Sequence, residues 1–369
     1  MQTITVQAPG RINLIGEHTD YNNGFVLPAA IQNVATATIS KRANDQIHLK
    51  ALDLSEELII NSIAELQVSE KTWANYIIGV IVQFVKKQKF PTGFDIVLKS
   101  NVPIGAGLSS SAAIECAVAF GLNELFGFKL DKMELALMAQ KAEHEFAGVQ
   151  CGIMDQFASL FGKKDNVVLL DCQNMEYQYF PLNIKDYQIV LLDTGVKHAL
   201  ASSEYNTRRA ECEQGIQLIQ EKHAHIQSLR EATIHMLDEC VDKNTLPIIY
   251  NRCKYVIAEI ERTQAATLDL LANNLNAFGQ KMFATHKGLS ELYQVSFPEL
   301  DIIVNAVSAN ENVLGARMMG GGFGGCTINI IKTAMVETVV NELTQLYATK
   351  TGKALQHYIV SIEDGAKLL

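Results

Sequence analysis

The chain has 369 residues, 48% of them hydrophobic and 19% charged, with 24 Gly and only 7 Pro. That length exceeds what one ordinary core serves, so two domains are expected. A formal net charge of −9 excludes the basic excess of a nucleic-acid coat or a membrane-surface domain, while leaving room for a local anion site.

Seven scattered cysteines show neither a CxxC pair nor zinc spacing, which suits buried free thiols in a reduced compartment. The opening "MQTITVQAPG" lacks the basic residue and apolar run of a signal peptide. The longest apolar stretch, "YIIGVIVQFV", is too short to span a bilayer. A soluble, cytoplasmic protein without a membrane, protein or nucleic-acid partner is expected.

"TITVQA" and "NVATATIS" alternate as strands do. Between them, "APGRINLIGEHTDYNNG" gathers Arg11, Glu17, His18 and Asp20 within ten positions, either as a solvated hairpin tip or as groups converging on a ligand. "FDIVLKS" predicts a further strand. After it comes "NVPIGAGLSSSAA", and then Ile114, Ala117, Val118, Leu122 and Leu125 recur at helical spacing. Gly105 and Gly107 allow backbone conformations that bring phosphate oxygens close to main-chain N–H groups. Ser109, Ser110 and Ser111 fall near the first helical turn, where unpaired N–H groups favour an anion. A serine hydroxyl there can also coordinate Mg²⁺. No Gly-Lys-Ser/Thr occurs in the chain, so this is not a Walker A loop. A plain serine-capped helix is the alternative.

"DKMELALMAQKAEHEFAG" predicts a helix capped by Asp131 and stopped at Gly148. Glu143, late on it, belongs either to a solvated face or to a Mg²⁺ site, since that ion needs only one or two protein oxygens when phosphates supply the rest. In "GVQCGIMDQFASL", Asp155 stands among Cys151, Ile153, Met154 and Phe157. A carboxylate in such company needs a partner, for which Arg11 is a candidate, or its pKa must rise. Asp155 is thus a candidate base, or else a helix N-cap.

"NVVLLDC" and "YQIVLLDTGV" are predicted strands, with a soft boundary near residue 175 dividing the chain into 1–175 and 176–369. From about 200 to 300 the pattern is helical. It returns to strand–loop–strand at "GARMMGGGFGGCTINII". Gly320, Gly322 and Gly325 match G-x-G-x-x-G, but a strand follows where a dinucleotide site requires a helix. The loop is either a bend or a close approach of backbone or ligand. His198 is given no role. Trp73 is read as core or as a neighbour of an adenine.

Together, "GRINLIGEHTDYNNG", "PIGAGLSSSAA", "CGIMDQF", "SEYNTRRAEC" and "GARMMGGGFGGC" resemble the GHMP kinase superfamily, and its galactokinase branch most closely. Mevalonate kinases share the G-E-H segment and the serine loop without the "TDYNNG" continuation. The resemblance runs from about Pro9 to Thr327 and implies an α+β, two-domain fold. Its N-terminal part would be ribosomal-protein-S5-domain-2-like and its C-terminal part ferredoxin-like, with the active site in the cleft between them. The implied activity is transfer of the ATP γ-phosphoryl group to the anomeric hydroxyl of α-D-galactose, by a monomer using ATP and Mg²⁺. Glu17, His18, Thr19, Asp20, Gly152 and Tyr205 would contact the sugar. Asp155 would be the catalytic aspartate and Arg11 the residue orienting it. Gly105, Ala106, Gly107, Leu108, Ser109, Ser110 and Ser111 would form the ATP loop, with Ser111 and Glu143 at Mg²⁺.

Two other readings stay open. One is a sugar-1-kinase for N-acetylgalactosamine or another galactose-like sugar. The other is a non-catalytic galactose sensor, against which the uninterrupted "SSSAA" stands together with Arg11, Glu143 and Asp155. Eight residues precede Pro9, fewer than in most members, so a trimmed N-terminal segment is expected. Gly321 stands where many members carry alanine, a change expected to be silent.

Overall fold

The computed structural model describes residues 2–197 and 201–369, so His198 lies outside the described residues. In the first half, strands and helices come in runs and do not alternate one by one. Strand β1 (Thr3–Asn13) leads through the charged segment to β2 (Phe25–Val26), β3 (Pro28–Lys41), β4 (Ile47–Ala51) and β5 (Glu56–Ile60). Helix α1 (Thr72–Lys86) precedes β6 (Phe94–Ser100), and three helices follow: α2 (Ser110–Phe126), α3 (Lys132–Ala142) and α4 (Met154–Phe161). Strands β7 (Asn166–Asp171), β8 (Tyr177–Pro181) and β9 (Tyr187–Lys197) then lead to the helical stretch. That stretch comprises α5 (Ala201–Gln220), α6 (Ile234–Cys240), α7 (Pro247–Leu271), α8 (Leu275–Lys287) and α9 (Pro298–Val307). The chain closes with β10 (Val313–Met318), β11 (Gly324–Lys332), α10 (Val336–Thr351), β12 (Gln356–Val360) and β13 (Lys367–Leu368).

Three sheets organise these elements. The largest has the order β13-β1-β3-β6-β4-β5, so the last strand of the chain pairs with the first. Its apolar face carries Ile12, Ile39, Leu49 and Ile96, which share one core with Leu122 of α2 and Phe157 of α4. A second sheet, β10-β11-β9-β12, buries Val190, Leu192 and Ile331 against Ile303 and Val307 of α9 and Leu343 of α10. The third, β2-β7-β8, includes the turn near residue 175. Among the described residues, no helix is long and apolar enough to cross a membrane.

Two local details place functional residues. Asp131 and Glu134 form a capping box that starts α3. The helical pattern read from Asp131 to Gly148 changes at Glu143 into a π-helical turn, Glu143–Ala147, closed by Gly148 at φ 75°. Such wide turns cluster at functional sites because they re-aim side chains. The β1–β3 register also slips between Pro9 and Arg11. There the Arg11 amide bonds instead to the Leu108 carbonyl at 3.1 Å. A Cβ on Gly10 would sit 2.6 Å from that oxygen, so only glycine lets the first strand approach the serine loop this closely.

Candidate active site

The Gly/Ser loop enters α2 through three left-handed residues: Gly105 at φ 81°, Gly107 at 75° and Ser109 at 56°. Ser109 occupies the N-cap position but makes no side-chain cap. Its hydroxyl instead donates to Asp155 Oδ2. The first-turn amides of α2 therefore have no side-chain partner and remain available to an anion.

Asp155 lies in the first turn of α4, two positions past the cap residue, which is Ile153. The N-cap alternative is therefore excluded. Arg11 grips the carboxylate in bidentate fashion, with Nε to Oδ1 at 2.8 Å and Nη2 to Oδ2 at 2.9 Å. Its third nitrogen, Nη1, donates to the Gly107 carbonyl at 2.5 Å. Burial works against the guanidinium charge, yet the carboxylates of Asp155, Glu17 and Asp20 outweigh it and hold the Arg11 pKa above its ordinary value.

Two cavities meet at this pair. The smaller, about 180 Å³, is lined by Glu17, His18, Asp20, Gly152 and Tyr205, among others. The larger, about 530 Å³, is lined by Gly105, Gly107 and Leu108–Ser111 of the loop, with Trp73 and Tyr76 of α1. Arg11, Asp155, Gly320 and Gly321 line both. Ala106, buried within the loop, lines neither of them. The smaller volume is below the roughly 300–1,000 Å³ of a drug-sized ligand site and suits one small polar molecule.

Its walls are polar and prearranged. Glu17 Oε1 accepts from Arg317 Nη1 at 3.0 Å, from Arg317 Nη2 at 3.1 Å and from the Gly320 amide at 2.8 Å. Arg317, fully buried on β10, also donates to the Leu14 carbonyl at 2.8 Å. One carboxylate oxygen of Glu17 is thus saturated, by Arg317 of β10 and by the Gly320 amide of the glycine loop that follows. Asp20 accepts from the Tyr21 amide at 3.0 Å. Burial, then repulsion from Asp155, pushes the Asp20 carboxyl up to about 6. A Cβ at residue 152 would lie 1.8 Å from Asp20 Oδ2, so Gly152 makes room for that carboxylate.

His18 faces the Gly321 carbonyl with Nε2 at 3.1 Å, and a carbonyl can only accept, so Nε2 carries the proton. Burial drives its pKa down to about 3, leaving a neutral ring whose Nδ1 accepts from the Tyr21 hydroxyl at 2.6 Å. Tyr293 extends the chain, its hydroxyl 2.8 Å from that of Tyr21. Both ring nitrogens of His18 are therefore engaged within the protein. Thr19 is buried outside the cavity, with its hydroxyl on the carbonyls of Gly16 (2.9 Å) and Phe25 (2.6 Å), fastening the loop. Tyr205 stacks obliquely on His18 with ring centres 5.3 Å apart.

Comparison with known proteins bears on this arrangement. The family models "GHMP kinases N terminal domain" and "GHMP kinases C terminal" match residues 75–163 and 266–349, and "Galactokinase galactose-binding signature" matches residues 1–41. Galactokinase of Thermotoga maritima is 42% identical over 364 residues, covering 98% of this chain and 99% of the relative. That of Clostridium acetobutylicum is 40% identical, covering 98% and 93%. The chain belongs to the galactokinase family of GHMP kinases. The crystal structure of Lactococcus lactis galactokinase complexed with galactose superposes with a TM-score of 0.95 at 33% identity, covering 100% of this chain and 95% of that one. Mevalonate kinase of Methanococcus jannaschii, at 20% identity and a TM-score of 0.67 over 98% of this chain and 99% of that one, shares the fold.

Within the family fold, Ser111 and Glu143 meet where the two cavities adjoin, Ser111 Oγ donating to Glu143 Oε1 at 3.0 Å. Burial, then the charge of Asp155, pushes Glu143 up to about 7. Two hard oxygens side by side fit Mg²⁺, which takes few protein ligands when phosphate oxygens complete its shell. Among the described residues, no cluster of three or more His, Cys, Asp or Glu could hold a metal ion.

Several contributors escape a reading of the sequence. Arg317 and Tyr293 support the site from elements remote in sequence, and Gln156 and Glu115 from the same helices as Asp155 and Ser111. A charge embedded in an apolar run was the available signal, as in "VLGARM" and "AIECAVAF".

Proposed function

We propose that this chain transfers the γ-phosphoryl group of ATP to the anomeric hydroxyl of α-D-galactose, with the sugar in the smaller cavity and the nucleotide in the larger. The observation carrying this reading is Asp155 at the wall common to both. An ionised carboxylate offers about four lone-pair sites. Three are taken, two by Arg11 and one by Ser109. The fourth is left for an incoming hydroxyl, whose proton Asp155 accepts as the sugar oxygen attacks. General-base help of this kind is worth about 10²–10⁴-fold.

The loop amides between Gly105 and Ser111 bind phosphate oxygens, and Arg11 stabilises charge on the acceptor side. Ser111 Oγ and Glu143 would hold Mg²⁺, which when bound neutralises phosphate charge. Glu17 and Asp20 accept from sugar hydroxyls, and a site built of such groups rejects analogues that leave them unpaired. His18 shapes the floor through its ring and its bond to Gly321. Trp73 and Tyr76 form the apolar end of the nucleotide cavity, on the side where an adenine would lie.

A coupled ADP-release assay across galactose, glucose, N-acetylgalactosamine, arabinose and mevalonate tests the proposal. Turnover is expected with galactose and to depend on Mg²⁺. Turnover of mevalonate with none of the sugars would overturn it.

A further inference from the structure

Behind Ser111 and Glu143 lies a buried array that the scheme above leaves without a duty. Gln156, next to Asp155 on α4, is fully buried. Its Nε2 donates to Glu143 Oε2 at 2.7 Å and to Glu115 Oε2 at 3.1 Å. Glu115 is also fully buried, one turn along α2 from Ser111. An amide nitrogen has two hydrogens, and in this orientation of Gln156 both are used. Turned over, its oxygen would face two carboxylate oxygens, neither of which donates when ionised. Glu143 is thereby held on both sides, by Ser111 on Oε1 and by Gln156 on Oε2. The Cys151 thiol, 3.5 Å from Oε2, adds a weak donor.

This arrangement is costly. Glu115 Oε1 and Gln156 Oε1 are buried with no hydrogen-bond partner, and apolar side chains of similar volume would fill the same space without that penalty. Stability therefore does not account for it, whereas the orientation of Glu143 does.

We propose that Gln156, anchored by Glu115, is a positioning residue that turns Glu143 Oε1 toward the phosphate side of the cleft and so sets the affinity for the cation shared with the nucleotide. The proposal rests on the phosphoryl-transfer reading above. Glu115 need only accept a hydrogen bond, a duty that a carboxamide fills and an alkyl group does not.

The test titrates Mg²⁺ into the full-length protein with galactose and a non-hydrolysable ATP analogue, reading thermal unfolding, and compares steady-state kinetics. Loss of a ligand's supporting partner typically costs about 10–100-fold in metal affinity. Gln156→Leu should raise the half-maximal Mg²⁺ concentration by that factor while the KM for galactose stays near its original value. Glu115→Leu should shift it in the same direction, and Glu115→Gln should keep it close to the unaltered protein. Should Gln156→Leu fail to fold, the two Glu115 variants carry the comparison. An unmoved Mg²⁺ requirement in Gln156→Leu or Glu115→Leu overturns the proposal, and so does Glu115→Gln behaving like Glu115→Leu. Absence of sugar turnover in the unaltered protein, with the Mg²⁺-dependent shifts as expected, would instead count against the phosphoryl-transfer reading alone.

Discussion

Asp20→Asn separates what the sugar cavity costs the fold from what it does for binding. The carboxyl of Asp20 is buried, and burial followed by repulsion from Asp155 raises its pKa from 3.8 to about 6. At about pH 7.5 the group is ionised, so the native state carries the difference, about 3 kcal/mol at 1.36 kcal/mol per unit. The sign follows from linkage. A carboxyl whose pKa is raised by folding contributes stability below its unfolded value of 3.8, and that contribution is lost as pH rises through about 6. Asparagine carries no charge and keeps an oxygen to accept from the Tyr21 amide. The variant should therefore be more stable than the parent by about 3 kcal/mol near pH 7.5 and by about half as much near pH 5. Galactose binding should move the other way, weakening about 10- to 150-fold, the equivalent of about 1.5–3 kcal/mol for a hydrogen bond to a charged group. Denaturant unfolding at the two pH values and calorimetric titration with galactose measure both effects. A variant less stable than its parent at both pH values would refute the desolvation argument, and unchanged galactose affinity would refute the sugar contact.

Asp155→Ala should lower kcat about 10²–10⁴-fold with a smaller loss of galactose affinity. Parallel losses of folding and activity, read by circular dichroism and the ADP assay, would show a structural role instead. Gly152→Ala places a Cβ 1.8 Å from Asp20 Oδ2 and should raise the KM for galactose while leaving that for ATP near its original value. Gly321→Ala places a Cβ 3.2 Å from the Tyr205 ring, a tight contact that the ring relieves by rotating slightly away. A change of no more than about tenfold in the KM for galactose, equivalent to about 1.4 kcal/mol, is expected, and steady-state kinetics check it.

Local rules made some of this legible from sequence. Asp131 as a cap needs only its neighbour Glu134, and the alternation in "NVATATIS" or "FDIVLKS" reflects one buried face, so both could be read in place. The glycines of "PIGAGLSSS" announce positive φ values, though not that Ser109 would share them and turn its hydroxyl to Asp155. What stayed hidden depends on partners far along the chain. Arg317 meets Glu17 across 300 positions and Gln156 meets Glu115 across 41, and no local pattern encodes either pairing. The slip at Gly10 was hidden for the same reason, because its cause is the Leu108 carbonyl on another element. The π-turn at Glu143 continues a helical pattern without altering it, so periodicity alone could not mark where the helix widens.

Arg11, Asp155, Gly320 and Gly321 line both cavities, so the two abut one another at these four residues. With sugar and nucleotide seated as proposed, a single compound joining a hexose through a phosphate tether to an adenosine would reach both across that shared edge. Once either end is seated, the other faces its own half at an effective concentration of about millimolar for a short flexible tether. Selective inhibitors of this family can thus draw on linkage rather than on tighter contacts at either end, with tether length as the variable to tune.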